Sequence, residues 1–248
     1  MFHVKRVDEG EIPSAPAAAS EVFGPAIDRA ERYCAALATD GVLLGLIGPR
    51  EVPRLWERHI LNCAVLGEVI ESGESVVDIG SGAGLPGIPL ALTRPDLSIT
   101  LVEPLLRRSD FLDRMVADLD LDVRVIRGRA EEKAVRADIA GADVVTSRAV
   151  APLERLSKWS APLIRDGGRL VAIKGSSAAD EIERDAGVAR RHGIVDLHVQ
   201  QCGSGVLDIP TTVVIGRKHD DGPGGKQAKR PGAGRVAKRR ARRSDRKG

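Results

Sequence analysis

A glycine-rich segment near the middle of the chain carries the residues best suited to chemistry. Residues 76–92 read VVDIGSGAGLPGIPLAL, in which an apolar run ends in an acid and glycines separate it from a second apolar run. Glycine permits positive φ angles and close approach of the backbone to a bound molecule. The stretch from Gly82 to Gly87 matches G-x-G-x-x-G, which is typical of dinucleotide binding. The segment therefore predicts a ligand with an anionic or polar group at the start of a helix.

Two carboxylates beside this loop narrow the choice of ligand. Asp78 stands two residues before Gly80, and Glu103 closes the next apolar run, ITLVEP. A carboxylate aimed into the site would repel a pyrophosphate but would suit an ammonium group. Glu103 would accept hydrogen bonds from ribose hydroxyls, which NAD and S-adenosylmethionine both carry. Asp78 therefore favours S-adenosylmethionine over NAD. The alternative is that the glycines only form a tight turn and bind no ligand.

Three other polar residues are candidates for binding. Arg148 ends a predicted strand and would meet the cofactor or a phosphate, unless it is a salt-bridged surface residue. Lys174 ends the following strand, where it would reach an RNA phosphate or lie solvated. His59 lies beside an apolar helical stripe, which favours a hydrogen-bonded, partly buried histidine over an acid or base.

An alternation of strands and helices from Glu74 onward must position these residues. The apolar runs predict strands near 75–79, 98–102, 122–126, 142–146, 168–173, 194–200 and 210–216. Helices are predicted near 85–93, 105–118, 152–164 and 177–192. Such alternation indicates an α/β fold with a mostly parallel sheet covered on both faces. Only CGSGVLD separates the last two strands, which predicts an antiparallel hairpin at the sheet edge.

Two amphipathic stretches precede this alternation. SEVFGPAIDRAERYCAALATDG and EVPRLWERHILNCAVLGEVIESG space their apolar residues by three and four positions, which predicts N-terminal helices. We therefore expect four parts: a flexible N-terminus over 1–19, a helical addition over 20–73, a core over 74–217 and a disordered basic tail over 218–248.

Charge and cysteine content bound the class of protein. From Arg217 to the end there are 13 Lys and Arg against 3 Asp and Glu, whereas the preceding residues have 25 against 32. The tail therefore suits RNA phosphates, with a merely solubilising tail as the alternative.

The cysteines lack C-x-x-C spacing, which argues against a zinc site or a disulfide framework. Without an apolar signal core or a run of ~18 apolar residues, the pattern predicts a cytoplasmic protein with no membrane partner and no metal.

The quoted segments together resemble a known bacterial family, the small-subunit rRNA guanine-N7 methyltransferases, also called glucose-inhibited division protein B. The similar strings are ERHILN, GSGAGLPGIPLAL, LVEPLLRRSDFL, GRAEE, SRAVAPLERL and IKG, in the same order over residues 20–216. The resemblance implies a Rossmann-like class I methyltransferase fold. It also implies methyl transfer from S-adenosylmethionine to N7 of guanine 527 in 16S rRNA, so that the partner is 16S rRNA or the small ribosomal subunit.

The resemblance further implies which residues form the site. The residues implied to bind the cofactor, with the two acids discussed above, are Asp78, Gly80, Gly82, Leu85, Glu103, Ala130, Glu131 and Arg148. Ala130 and Glu131 would flank the adenine. Arg58 and His59 lie where relatives have a helix running past the site, and with Lys174 they are candidates for contact with RNA. Asn62 and Cys63 depart from the Asp-Ser expected there.

Methylation at guanine N7 makes modest chemical demands. This nitrogen already presents an in-plane lone pair, so no proton has to be removed before attack. Alignment of the reacting atoms then contributes most, up to ~7–11 kcal/mol. No catalytic residue is predicted. The alternatives are a methyltransferase for another RNA, a protein or a small molecule, a non-enzymatic RNA-binding module, and a dinucleotide-binding oxidoreductase.

Overall fold

A computed structural model describes residues 12–139 and 141–219 of the chain. Seven strands form one sheet in the order β3-β2-β1-β4-β5-β7-β6. The strands are β1 (Ser75–Ile79), β2 (Ser98–Glu103), β3 (Val123–Arg127), β4 (Ala142–Arg148), β5 (Ile164–Ile173), β6 (Ile194–Cys202) and β7 (Thr211–Lys218). Each lies close to a predicted strand.

The sheet is mostly parallel and ends in an antiparallel hairpin. β1 pairs in parallel with both β2 and β4. Two further pairs, β2 with β3 and β4 with β5, are also parallel. β7 pairs antiparallel with β5 and with the edge strand β6. The predicted fold class is therefore confirmed. The strand order reverses between β1 and β4, and such switch points are where doubly wound sheets bind ligands.

Helices connect the strands and cover both faces of the sheet. They are α4 (Gly87–Thr93), α5 (Leu106–Asp118), α6 (Lys133–Asp138), α7 (Leu153–Ser160) and α8 (Ala178–Arg191). Four of them match predicted helices. α6 was not predicted, because KAVRAD buries only Val135 and is too short to show a helical period.

Alternate residues of each strand divide the core into two layers. On one face, Val76, Leu101 and Val144 pack against the N-terminal helices, α4 and α5. On the other face, Val77 and Val145 pack with the apolar sides of α6, α7 and α8. The helical addition thus closes the face of the sheet that α4 and α5 leave partly uncovered.

The N-terminal helices begin earlier than predicted and are less regular. They comprise α1 (Ala17–Phe23), α2 (Ile27–Ala36) and α3 (Asn62–Ala64). Between and after them lie 3-10 segments over Gly24–Ala26, Pro49–Arg54 and Val65–Val69 and π-helical segments over Leu37–Gly41 and Leu55–Leu61. Gly24, at φ 48°, and the following Pro25 separate α1 from α2, since proline lacks the N–H that would continue a helix.

Residues 12–19 differ from the predicted flexible terminus. Ala19 is fully buried, and the indole Nε1 of Trp56 donates a hydrogen bond to the Pro13 carbonyl at 3.0 Å. This segment packs on the helical addition because its alanines fill space beside larger apolar residues. The remaining predictions for the two termini fall on residues 1–11 and 220–248, which lie outside the described part. Within the described ranges, no helix combines the length and apolar content needed to cross a membrane.

Candidate active site

The loop after β1 is shaped by three glycines with positive φ, Gly80 (67°), Gly82 (56°) and Gly84 (93°). A Cβ on Gly80 would lie 2.9 Å from a methyl group of Val150, and one on Gly84 would overlap Ile88. A Cβ on Gly82 would meet no atom closer than 3.8 Å. Gly80 and Gly84 therefore permit close packing, whereas Gly82 leaves open space above the loop.

Glu103 at the end of β2 is fixed in front of this loop. Its side chain is buried and accepts hydrogen bonds from the Gly82 amide (2.9 Å) and from the Leu105 amide (3.0 Å). Its own carbonyl accepts a bond from Gly128, just beyond β3. The carboxylate is thus held rigidly at the carboxyl edge of the sheet.

Asp78 lies beneath the loop and not at its open side, which differs from the predicted contact with an ammonium group. The side chain is fully buried, and Oδ2 accepts a hydrogen bond from the Gly87 amide at 3.1 Å. Oδ1 has no hydrogen-bond partner among the described residues. Burial raises the pKa of Asp78 to about 7, because an ionised carboxylate is poorly solvated there. This residue braces the loop from below.

A cavity of about 460 Å³ opens between the loop, the end of β2 and the end of β4. Its size falls in the ordinary range for small-molecule sites. Five predicted site residues line it: Gly80, Gly82, Leu85, Glu103 and Arg148. Ala130 and Glu131 lie in the turn after β3, where Ala130 is buried and Glu131 is exposed, and they are not part of its lining.

A second cavity, of about 960 Å³, lies on the other side of residues 148–150. Arg148, Ala149 and Val150 line both cavities and form the wall between them. Ala149 has a φ of 54°, a strained backbone conformation for a residue with a side chain. Strained backbone conformations of this kind cluster at functional sites, so the wall formed by residues 148–150 is a candidate functional position.

Exposed arginines stand at the rim of the larger cavity. Arg54 and Arg58 are both exposed, and both line this cavity. Arg58 also pairs with Glu51 at 3.1 Å. Arg58, predicted as a candidate for contact with RNA, thus lines the larger cavity, and Arg54 adds a second cation there.

Lys174 also lines the larger cavity, but its ammonium group is already engaged. Nζ donates to the Ala151 carbonyl and to Oε1 of Glu181, both at 2.9 Å. The same Glu181 oxygen accepts a hydrogen bond from the Leu153 amide. Lys174 therefore ties the segment after β4 to α8, a structural role that the prediction of a phosphate contact did not anticipate.

His59 and Arg148, which lie far apart in the sequence, are in direct contact. Nη2 of Arg148 is 2.8 Å from Nδ1 of His59, and Nη1 donates to the Arg58 carbonyl at 3.2 Å. His59 Nε2 is 2.9 Å from Oε2 of Glu51. His59 lines neither cavity, but its ring contacts Arg148, which lines both.

Tyr33, Val150 and Glu51 were not singled out from the sequence. The hydroxyl of Tyr33, the only tyrosine of the chain, donates to the Ala83 carbonyl in the glycine loop at 2.8 Å. Burial raises the pKa of this phenol well above its usual range, so it remains a donor. A lone tyrosine in an apolar helical stripe is a weak signal, and nothing in the sequence relates position 33 to position 83.

The described residues contain no group of three or more His, Cys, Asp or Glu side chains that could hold a metal ion. The three cysteines are all buried as free thiols. The polar groups at the site are instead a backbone loop, two acids and the Arg148 guanidinium.

A mostly parallel sheet with its switch point at β1 and β4, a glycine loop after β1 and an acid closing β2 define a class I methyltransferase. The family model for rRNA small subunit methyltransferase G matches residues 26–209, which is most of the chain. The chain therefore belongs to the rRNA small subunit methyltransferase G family, and it is an rRNA methyltransferase.

The chain aligns with curated relatives over nearly their full length. A ribosomal RNA small subunit methyltransferase G from Rhodococcus jostii is 63% identical over 217 residues, which are 86% of this chain and 95% of the relative. One from Mycolicibacterium smegmatis is 55% identical, over 94% of this chain and 97% of the relative. Among solved structures, a predicted O-methyltransferase from Agrobacterium tumefaciens shares the fold, with a TM-score of 0.51 and 17% identity over 64% of this chain and 80% of that one.

Proposed function

We propose that this enzyme transfers a methyl group from S-adenosylmethionine to N7 of a guanine in 16S rRNA, at the position 527 that the family resemblance implies. The supporting observation is the pair of cavities that share the wall formed by Arg148, Ala149 and Val150. One cavity suits a small nucleoside ligand, and the other, with a volume of about 960 Å³, has room for a base with its flanking backbone. Their common wall is where the two reactants would meet.

The residues of the smaller cavity fit S-adenosylmethionine. The open space above Gly82 provides a cradle that any Cβ would enter. Glu103 presents a rigid carboxylate for ribose hydroxyls, and Ala130 and Glu131 follow β3, next to β2 in the sheet, where an adenine would extend. When bound, the cofactor supplies an electrophilic methyl group. When it is ionised, Asp78 adds negative charge beneath the loop, which favours a cationic ligand over a pyrophosphate.

The chain's own part in the reaction is binding and alignment. Guanine N7 would supply its existing lone pair and the bound cofactor would supply the methyl group, so the positive charge would leave the sulfur and appear on the purine ring. No side chain has to accept a proton at N7. The walls formed by the glycine loop and by residues 148–150 would hold the two reactants in line, which is the main source of rate enhancement available here.

The substrate side rests on charge and shape. Arg54 and Arg58 stand exposed at the rim of the larger cavity, where they suit phosphate oxygens of the RNA backbone. The C-terminal residues 220–248 contain 11 Lys and Arg against 3 Asp and Glu and would add a sequence-independent attraction. With an rRNA substrate, we expect the enzyme to act in the cytoplasm.

Purified enzyme with labelled S-adenosylmethionine and either small ribosomal subunits or naked 16S rRNA tests this function in vitro. We expect label in a single guanine, with the methyl group at N7. Label in another nucleotide, or none in either substrate, would contradict the proposed substrate. Calorimetry with S-adenosylhomocysteine tests cofactor binding separately from the RNA.

A further inference from the structure

The guanidinium of Arg148 is held in place by the helical segment Leu55–Leu61. Nη2 lies 2.8 Å from His59 Nδ1, and Nη1 donates to the Arg58 carbonyl at 3.2 Å. A guanidinium only donates hydrogen bonds. Nδ1 of His59 must therefore be the unprotonated ring nitrogen that accepts from Arg148.

The second ring nitrogen of His59 then carries the proton and donates to Glu51. Nε2 and Oε2 of Glu51 are 2.9 Å apart. Glu51 also accepts from Arg58, at 3.1 and 3.2 Å. The hydrogen bond from His59 and the charge of Arg58 lower the pKa of Glu51, so it stays an anion and an acceptor. The order of contacts is Glu51, His59, Arg148, with one fixed tautomer of the ring in the middle.

Electrostatics keep this ring neutral. The pKa of His59 is lowered mainly by burial. The positive charges of Arg148 and, to a smaller extent, Arg58 lower it further. The hydrogen bond and charge of Glu51 oppose this shift without reversing it. A protonated ring would turn Nδ1 into a donor facing the Arg148 guanidinium, which places two cations in contact.

We propose that His59, as the neutral Nε2–H tautomer oriented by Glu51, is a positioning residue that sets Arg148 on the wall between the two cavities. This rests on the proposed function, in which those cavities hold the cofactor and the guanine. His59 acts through Arg148 and does not touch RNA itself, since it lines neither cavity. Without its acceptor, the guanidinium would swing away from the cofactor cavity or lose its fixed orientation.

The first test is a double-mutant cycle on the affinity for S-adenosylhomocysteine, measured by calorimetry on the full chain. His59→Ala should weaken binding by about fivefold or more in the wild-type background, within the range of coupled contacts. The same change should have no further effect in an Arg148→Ala background. His59→Asn should restore much of the affinity, because its Oδ1 sits near the position of Nδ1. His198→Ala, at an exposed histidine of β6, is the matched control and should change nothing.

The second test observes the ring directly by ¹⁵N NMR of the full chain. The His59 resonances are identified by their loss in His59→Asn. At neutral pH they should report a protonated Nε2 and an unprotonated Nδ1. Arg148→Met should raise the pKa of His59, and Glu51→Gln should lower it, because these variants remove a cation and an anion.

Three results would overturn the proposal: a charged ring at neutral pH, an Nδ1–H tautomer, or additive losses in the cycle. These outcomes do not depend on the RNA substrate. If the NMR and calorimetry agree with the expected results but no 16S rRNA is methylated, the proposed substrate fails while the positioning role of His59 stands.

Discussion

At the scale of single residues, two acids near the glycine loop serve different ends. Glu103 was predicted to face a ribose, and it lines the smaller cavity with both oxygens bonded to backbone amides. Asp78 was predicted to face an ammonium group, but it lies buried under the loop. The sequence pattern alone identifies both positions as important. It does not reveal on which side of the loop each carboxylate lies, since that depends on how the loop folds back over β1.

Replacement of Glu103 should weaken cofactor binding. Glu103→Ala removes a buried acceptor of two backbone amides and a partner for the ribose, so affinity for S-adenosylhomocysteine should fall by about 1–3 kcal/mol. Calorimetry measures this directly. Glu183→Ala, at an exposed acid of α8, is the control and should bind normally. Equal affinities for the two variants would mean that the cofactor lies elsewhere.

Asp78 should make the protein less stable as the pH rises. Its folded-state pKa of about 7 exceeds the usual range for an unfolded aspartate, so the folded protein holds a proton that the unfolded chain has lost. Between about pH 4 and pH 7 this group therefore reduces the free energy of unfolding by up to about 1.4 kcal/mol per pH unit, and by a constant amount above that window.

The measurement is urea unfolding of the wild type and of Asp78→Asn across that range. Asparagine keeps an acceptor for the Gly87 amide but cannot ionise, so the difference between the two curves isolates the carboxylate. The wild type should lose stability relative to the variant as the pH rises. Parallel pH dependences would show that the pKa of Asp78 is close to its ordinary value.

At the scale of elements, the loop after β1 joins a strand to α4, and it needs Gly80 and Gly84 for close packing but Gly82 for open space. Four predicted helices of the core and all seven strands appear in the structure, because strong apolar runs and turn residues specify them. The sequence did not predict α6, the π-helical segment Leu55–Leu61 or the early start of α1. They depend on packing between distant parts of the chain, which leaves no local period in the sequence.

A pair of glycine substitutions separates loop strain from ligand contact. Gly82→Ala and Gly73→Ala both place a side chain at positive φ, 56° and 75°, with no neighbour closer than 3.8 Å at the first and none within 4 Å at the second. Each should cost about 1–2 kcal/mol of stability. Only Gly82→Ala should also weaken binding of S-adenosylhomocysteine, since its methyl group would enter the smaller cavity, which we propose holds the cofactor.

Thermal unfolding and calorimetry on both variants provide the comparison. Similar stability losses with a binding defect confined to position 82 are expected. If Gly73→Ala impaired binding equally, the effect at Gly82 would reflect general destabilisation and not the cavity.

At the scale of the whole molecule, charge is distributed unevenly along the chain. The first 216 residues have an excess of acids, while the end of the chain is strongly basic. The family and fold were predictable because the motifs recur in order along most of the chain. The contact between His59 and Arg148 was not, since it joins residues 89 positions apart.

Removal of the basic tail should weaken RNA binding without affecting the cofactor. Truncation after His219 keeps β7 intact, because the His219 amide donates to the Gly193 carbonyl at 2.8 Å. The slope of log affinity against log salt should become less steep, by about 1 for each phosphate that the tail no longer neutralises. Filter binding of 16S rRNA at several salt concentrations measures this slope for the full chain and for the truncated chain. A tail of scrambled sequence should restore the slope, and an unchanged slope after truncation would exclude the tail as an anchor.

The most direct test of the proposed function is mass spectrometry of 16S rRNA from a bacterial strain in which this gene is deleted. The methyl group at N7 of guanine 527 should be missing in that strain. Wild-type protein should restore it, Gly73→Ala should restore it as well, and Gly82→Ala should not, because its side chain would enter the smaller cavity, which we propose holds the cofactor. An undiminished 7-methylguanosine at this position in the deletion strain would contradict the assignment.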